Sequence, residues 1–211
     1  IVERIQKDFL TKDDQAILLR LSETLDTVEK LYKDYEFNSV LHTIYHFFWT
    51  DFCDWYIEVS KPRMNREESK VTCLAVQDLC LRQILLLLHP FTPFITEELW
   101  ALLGYADGKS IQGYSPGSGS QFLQLLALRE IPISKSILEE VSNVRALVTD
   151  LRSLKAERNL SNNREAEFYF VAGPEDTKTI RENESSILAM AGAVALKVTD
   201  NAPHGLPASV S

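Results

Sequence analysis

The 211 residues carry a formal net charge of −8, with 45% of them hydrophobic and 25% charged. This composition is that of an ordinary globular protein and excludes collagen-like and broadly disordered chains. The acidic balance argues against a generic basic binder of nucleic acids. The three cysteines, an odd number, indicate no disulfide framework. We therefore expect buried free thiols and a reducing compartment.

Apolar periodicity in the first two-thirds of the chain predicts an antiparallel helix bundle. Thr11 can cap a first helix, whose apolar side chains recur every three or four positions over 18–35. Asn38 can cap a second helix, which should stop at Lys61 because the residue before a proline disfavours helical geometry. A third helix, over about 67–88, is apolar nearly all round in its second half and should lie centrally.

The middle of the sequence interrupts the helical pattern and then resumes it. A short fourth helix can begin at Thr92-Pro93 and end at Gly104. Glycines and serines mark Gln112–Ser120 as a loop. A capping-box pattern at Ser136 then precedes a long helix, whose narrow apolar stripe over 137–154 suits a single partner helix.

The last fifty residues predict a strand over 166–172, a helix from Pro174 and a second strand over 193–198. Such a unit has a poor core, so either it packs on the bundle or a further strand is missing. We predict a mainly α fold with three parts. Residues 1–133 form an antiparallel bundle with a trailing loop, 134–163 a long connecting helix packed on it, and 164–211 a small α/β subdomain truncated at its C-terminus.

Motifs of catalytic chemistry are absent from the sequence, which has no phosphate-binding glycine loop, nucleophile elbow or zinc-binding cysteine pair. His42 and His46 have a spacing that could hold a metal, but the supporting carboxylate is absent from that face unless Asp51 or a distant residue supplies one. We expect a surface pair and no metal. No apolar run approaches the roughly 20 residues of a membrane span. Residue chemistry alone therefore predicts a binding or structural module with no catalytic residues.

Charge is unevenly distributed along the chain. Residues 1–60 hold six basic and twelve acidic residues, whereas 61–70 hold four and two, and 135–165 hold six and five. The bases of the two later segments are Lys61, Arg63, Arg66, Lys70, Lys135, Arg145, Arg152, Lys155, Arg158 and Arg164. The plain interpretation is a solvated surface. The alternative is two small phosphate-contacting patches on an acidic body.

Aromatic side chains crowd the second predicted helix, at positions 47, 48, 49, 52, 55 and 56. α-Helical spacing puts Phe48, Phe52 and Trp55 on the core face. It puts Trp49 and Tyr56, seven residues apart, on a neighbouring stripe. The plain interpretation is a core with a helix–helix seam. Because a basic segment follows directly, unpaired bases could instead stack on Trp49 or Tyr56.

Two of these segments resemble a known family. Phe47–Arg63, FFWTDFCDWYIEVSKPR, and His89–Trp100, HPFTPFITEELW, are similar to the anticodon-binding helical domain of class I valyl-tRNA synthetases. The resemblance extends from about Thr11 to Pro207. Its most specific part, Phe52–Tyr56, favours the valyl enzymes over their isoleucyl and leucyl relatives.

The resemblance implies a tRNA anticodon stem-loop recognition module that supports ATP-dependent attachment of valine to its tRNA. ATP and Mg²⁺ belong to a catalytic domain outside this sequence, and a separate domain edits mischarged products. The signatures of the catalytic domain are absent here, so we expect an excised piece that is inactive alone. Its expected partners are tRNA(Val) and the parent enzyme's catalytic and editing domains. We expect a cytoplasmic monomer without membrane contact.

For this role we predict two groups of tRNA contacts. Lys61 and Arg63 would contact phosphates of the anticodon loop. Its bases would be stacked on or hydrogen-bonded by Tyr35, Phe37, Asn38, Trp49 and Tyr56. The stem backbone would be contacted by Arg145, Arg152 and Arg158. Two alternatives stay open: the same module of an isoleucyl-tRNA synthetase, and a helical protein–protein interaction domain that docks through the 137–154 stripe.

Overall fold

The computed structural model describes residues 10–105, 134, 136–160 and 166–199, which fall into two compact units, Ile1–Lys135 and Ser136–Ser211. The described elements of the first unit are α1 (Lys12–Lys33), α2 (37–60), a 3₁₀ turn (Lys61–Asn65), α3 (Glu67–Leu88) and α4 (Pro93–Leu102). Those of the second are α5 (Ser136–Glu157), β1 (Glu167–Phe170), α6 (Pro174–Glu182), α7 (Glu184–Ala191) and β2 (Ala195–Val198). The predicted mainly α class is confirmed.

The first two helices begin in different ways. Thr11 caps α1 as predicted: its Oγ1 accepts from the backbone N of Asp14, and an Asp14 carboxylate oxygen accepts from the backbone N of Thr11 at 2.8 Å. The prediction that Asn38 caps α2 is wrong, because the helix already begins at Phe37. A tight turn with Tyr35 in the left-handed region (φ 60°) reverses the chain earlier than the capping pattern suggested.

Contacts between distant residues fix the directions of the first three helices. Val28, late in α1, packs with Val40 and Ile44, early in α2, so the two helices are antiparallel. Leu87 and Leu88, at the end of α3, pack against the same cluster. At the other end of the unit, the Arg63 guanidinium reaches the Ser69 carbonyl near the start of α3. The helices therefore alternate in direction, as the sequence predicted.

The middle of α2 is π-helical. Between an α-helical segment, Phe37–His46, and a last α turn, Glu58–Ser60, the residues Phe47–Ile57 adopt the wider i→i+5 geometry. Side chains four to five residues apart then share a face. Phe47, Phe52 and Tyr56 are buried accordingly, and Phe48 is only half-buried. This corrects the prediction from α-helical spacing, which placed Phe48 in the core and Tyr56 beside Trp49.

α3 lies at the centre of the described bundle. Most of its side chains over 72–85 are buried, including the polar residues Thr72 and Gln83. Ser69–Leu88 is long and apolar enough to cross a membrane by length and composition, contrary to our expectation from the sequence. Most of that stretch is buried inside the bundle, which accounts for its hydropathy.

A second set of buried contacts joins α4 to α3. Thr92 precedes α4 and Gly104 (φ 75°) follows it, as predicted, although the Thr92 hydroxyl donates back to the Leu88 carbonyl instead of capping α4. The Arg82 guanidinium lies over the rings of Tyr105, at 4.5 Å, and Trp100, at 5.3 Å. The Tyr105 hydroxyl donates to Asp78 at 2.8 Å. These contacts explain why a charged residue lies in the centre of α3.

The second unit is a small α/β arrangement. β1 and β2 pair in parallel, with Glu167 opposite Ala195 and Phe170 opposite Val198. Where one helix was predicted between the strands, the chain forms α6 and α7. Most of the narrow stripe of α5 is buried, and the helix packs against α7 and also contacts α6, so it has two partner helices in its unit where one was predicted.

Several predictions fall outside the described residues. These are the loop Gln112–Ser120, the tail over 201–211 and Arg164. The division into a bundle, a connecting helix packed on it and a truncated subdomain stays a prediction.

Candidate nucleic-acid interface

The turn between α1 and α2 exposes two of the predicted base-contacting rings. Tyr35 is 80% exposed, and Phe37 and Asn38 are also exposed. The Phe37 ring meets Tyr35 edge to face at 6.2 Å and packs on the half-buried Tyr32 at 5.9 Å. The turn thus keeps the rings of Tyr35 and Phe37 at the surface, and Phe37 packs on Tyr32, which is held against the bundle.

From this turn an exposed stripe continues along α2. We call Phe37, Leu41, Tyr45 and Trp49 the aromatic stripe; they recur every fourth residue and all are exposed. The rings of Tyr45 and Trp49 are 6.5 Å apart between centroids, and their planes are within 4° of parallel. Trp49 was predicted as a candidate and Tyr45 was missed, although its four-residue spacing from Trp49 is visible in the sequence.

The stripe lies in a stretch without fixed charge. Residues 37–50 contain no aspartate, glutamate, lysine or arginine. His42 and His46 are exposed, as expected for a surface pair, and His46 Nδ1 lies 3.7 Å from a carboxylate oxygen of the largely buried Asp51. On a helix, His42 lies next to Tyr45 and His46 lies next to Trp49, because each histidine precedes its ring by three residues. An approaching phosphate would meet imidazoles here and no exposed carboxylate from this stretch.

Tyr56 is removed from the candidate set by its burial. The side chain is fully buried, and its hydroxyl donates to the Asp14 carboxylate at 2.5 Å. Burial, followed by the nearby negative charge of Asp14, raises the pKa of Tyr56 well above its ordinary value. Because stacking on a base needs an exposed ring face, Tyr56 belongs to the core.

Arg63 is also structural. Its NH1 lies 2.7 Å from both carboxylate oxygens of Asp14, and its side chain is only 13% exposed. Burial tends to lower the pKa of Arg63, but the hydrogen bond and charge of Asp14 outweigh it and the net pKa is raised. A phosphate could engage this guanidinium only by displacing a buried ion pair, so the prediction that Arg63 contacts the loop is corrected.

Lys61 is an exposed cation at the far end of α2. Its Nζ pairs with Glu58 Oε1 at 2.5 Å, three residues earlier. Surface pairs of this kind contribute little to stability, so a phosphate can compete for the ammonium. At about 1.5 Å of rise per residue, Lys61 lies about 35–40 Å along the helix from the turn that carries Tyr35. The structure therefore does not bring Lys61 together with the exposed rings.

The predicted stem-contacting arginines lie on the second unit. Arg158 is exposed and Arg145 is half-buried. Arg152 donates from Nε to the Met190 carbonyl at 2.8 Å. Part of this basic cluster therefore binds the C-terminal carbonyls of α7, where a cation is favourable.

Lys155 was grouped with the bases of a solvated surface or a phosphate-contacting patch, but the structure buries it. It is 5% exposed, and its Nζ donates to the carbonyls of Ala191, at 3.1 Å, and Gly192, at 2.7 Å. Its partners lie 36 and 37 residues further along the chain, so no local pattern could reveal them.

Comparison with known proteins assigns the class. Residues 14–170 match the family model described as the anticodon-binding domain of tRNA ligase. The chain belongs to this family.

The similar proteins point to one member of the class. The chain is similar to a valine–tRNA ligase of Thermotoga maritima, with 36% identity over 184 residues, 86% of this chain and 19% of that protein. It is similar to the valine–tRNA ligase of Aquifex aeolicus, with 30% identity over 96% of this chain and 18% of that protein. It is also similar to that of Halalkalibacterium halodurans, with 39% identity over 79% of this chain and 18% of that protein. The chain spans about a fifth of the length of these relatives.

Among the described residues, no group of three or more histidine, cysteine or acidic side chains is arranged to hold a metal ion. The arrangement as described is one of exposed rings, flanking imidazoles and a few surface cations. Chemically, it can stack planar rings and bind phosphates.

Proposed function

We propose that this chain recognises the anticodon stem-loop of a valine tRNA as part of a valine–tRNA ligase. The ligase would use ATP and Mg²⁺ in a catalytic domain outside this sequence to attach valine to that tRNA. The observation that carries the location of the RNA is the exposed aromatic stripe in a stretch without carboxylates. Family membership supports tRNA as the ligand class, and the names of the relatives support valine.

The contacts we propose are the predicted ones whose side chains are exposed enough for an RNA to reach. Tyr35, Phe37, Asn38 and Trp49 remain candidates for base contacts, and Tyr45 joins them. Unpaired loop bases that stack on aromatic rings are the usual mode of sequence-selective RNA recognition. Lys61 would contact backbone phosphate only if the RNA lies along α2, because it is at the opposite end of the helix from Tyr35.

The second unit would add backbone contacts. Arg158 is exposed, and the guanidinium of Arg152 lies at the surface while its Nε holds the Met190 carbonyl. Together with Arg145, these side chains would contact the phosphates of the stem, which provide negative charge but carry no sequence information. In this role the protein would act as a monomer in the cytoplasm, with the catalytic and editing domains of the parent enzyme as its other partners.

Nothing in the described structure favours the protein–protein docking alternative. That alternative relied on the apolar stripe of α5 as an open seam. Val144, Val148 and Leu151 of that stripe are buried, and α5 packs against α7 of the same unit.

A binding titration tests the proposal. The 211-residue chain is titrated by fluorescence anisotropy at low salt into three labelled hairpins that share one stem: the valine anticodon loop, the isoleucine anticodon loop and a scrambled loop. We expect the valine loop to bind most tightly. Equal affinity for all three would refute base reading, and preference for the isoleucine loop would favour the isoleucyl relative.

A lysine variant tests the position of the backbone. Lys61→Ala should weaken all loops alike and lower the slope of log K against log salt by about one. Lys178→Ala is the matched control, since Lys178 is an exposed lysine in a helical ion pair, with Glu182. An unchanged slope for Lys61→Ala would exclude Lys61 from phosphate contact.

A further inference from the structure

Two exposed rings of the aromatic stripe have a geometry that none of the other described ring pairs shares. Tyr45 and Trp49 are 62% and 51% exposed, and their planes differ by only 4°. The other described ring pairs either lie at larger interplanar angles or include a buried ring. Exposed rings that merely cover a core have no need to stand parallel to each other in solvent.

The two rings are nearly parallel, but their centroids are closer together than a sandwiched base requires. A planar ring held between two others lies about 3.5 Å from each, so the outer rings stand about 7 Å apart. The Tyr45 and Trp49 centroids are 6.5 Å apart, so the two exposed side chains must move apart to admit a base. Each side chain projects from a different helical turn, so the backbone maintains this separation.

The surroundings of the pair indicate which planar guest it would take. His42 and His46 lie beside the rings and can offer hydrogen bonds to base edges or to phosphate. No acidic or basic residue occurs over 37–50, although the carboxylate of Asp51, just after this stretch, lies 3.7 Å from His46 Nδ1. A flat, polar-edged ring on an anionic backbone is the ligand that such a site accommodates.

We propose that Tyr45 and Trp49 form a slot that holds one unpaired nucleobase of the bound RNA between their rings. This inference rests on the proposed function, because the base must come from an RNA that this module binds. A sandwich differs from simple surface stacking: both faces of one base are covered, so a single loop position should dominate the interaction. The slot also rejects a base pair, which is too wide and is covered on both faces by its neighbours in the stem.

The test places 2-aminopurine, a fluorescent base quenched by stacking, at one loop position at a time in the valine anticodon hairpin. With the unmodified chain, one position should be quenched on binding far more than the others. In Tyr45→Ala and Trp49→Ala that quenching should be lost, and affinity should fall by about 5- to 150-fold, the range for losing a stacked base. Trp49→Phe should restore most of both signals.

Two controls separate the slot from general effects. Phe94→Ala removes an exposed ring on α4 and should change neither signal. Circular dichroism of Tyr45→Ala and Trp49→Ala should match that of the unmodified chain, because both side chains lie at the surface.

The outcomes distinguish the slot from the function. If the hairpin binds but both alanine variants keep full affinity and quenching, the slot is refuted and the proposed function stands. If Tyr45→Ala alone or Trp49→Ala alone is silent, the base lies on one ring and the sandwich is refuted. If no hairpin binds to the unmodified chain at low salt, both proposals are refuted.

Discussion

The carboxylate of Asp14 should determine the stability of the first unit. It is fully buried and has four described partners: Arg63 NH1 at 2.7 Å, the Tyr56 hydroxyl at 2.5 Å, and the backbone N and hydroxyl of Thr11 at 2.8 and 2.9 Å. Asp14→Ala removes the one negative charge that these groups share. It leaves the Arg63 guanidinium, whose side chain is only 13% exposed, without the Asp14 carboxylate.

The expected loss follows from these contacts. Breaking a buried ion pair by removing one partner costs about 3–5 kcal/mol. That is a large part of the roughly 5–15 kcal/mol by which domains are stable. Asp13→Ala is the matched control, one residue earlier in the same turn. It removes a hydrogen bond from Trp55 Nε1 at 3.0 Å and should cost only about 0.5–1.5 kcal/mol.

Tryptophan fluorescence during urea unfolding measures both variants. The three tryptophans are Trp49, Trp55 and Trp100, all in the first unit, so the signal reports that unit alone. The double variant Asp14→Ala/Arg63→Met should recover part of the loss, because the stranded charge is gone. Equal losses for Asp14→Ala and Asp13→Ala would refute the reasoning.

Four further predictions concern a buried tyrosine, the cysteine thiols and the C-terminal end of α7. Because the pKa of Tyr56 is raised, its contribution to stability is complete below the ordinary tyrosine value of 10.0 and declines as the pH rises above it. In urea titrations at alkaline pH, Tyr56→Phe should flatten this decline of the unfolding free energy with pH. An unchanged slope of that free energy against pH would contradict the prediction. Cys53 is half-buried and the other two cysteines are fully buried, so a thiol reagent should modify Cys53 alone in the folded chain, and a second rapid equivalent would argue against the packing. Lys155→Met should destabilise the second unit by about 1–3 kcal/mol and speed amide exchange over 184–192. Gly192→Ala should have a similar effect of about 1–2 kcal/mol, since Gly192 is left-handed (φ 62°), and unchanged exchange in both variants would refute the capping role.

Local patterns predicted most of the helix ends and few of the side-chain partners. Thr11, Gly104 and the Pro174 helix start follow from capping and turn chemistry that acts within a few residues. Arg63 was predicted at the surface because its partner, Asp14, lies 49 residues earlier in the sequence. Its burial depends on tertiary contacts that periodicity cannot reveal.

The aromatic candidates Trp49 and Tyr56 differ in their exposure to solvent for a different reason. An α-helical wheel puts Trp49 and Tyr56 on one stripe, and that projection assumes a constant number of residues per turn. The π-helical segment breaks the assumption: it buries Tyr56 and leaves Trp49 exposed. Tyr45 was missed for another reason: its spacing from Trp49 is visible in the sequence, but its exposure and its parallel orientation to Trp49 are not.

Because of the π-helical segment, the number of residues in α2 determines which side chains the helix exposes to solvent. Removing one residue between 47 and 57 would let the segment relax towards an α-helix and rotate its two ends against each other by about 100°. The later end is anchored, since Tyr56 is bonded to Asp14. The earlier end is packed too, since Val40 and Ile44 lie in a core cluster with Val28, so the rotation would either break that cluster or move Tyr45 off its present surface. The deletion of a single residue would thus disturb either the core contacts or the exposed aromatic stripe of the helix.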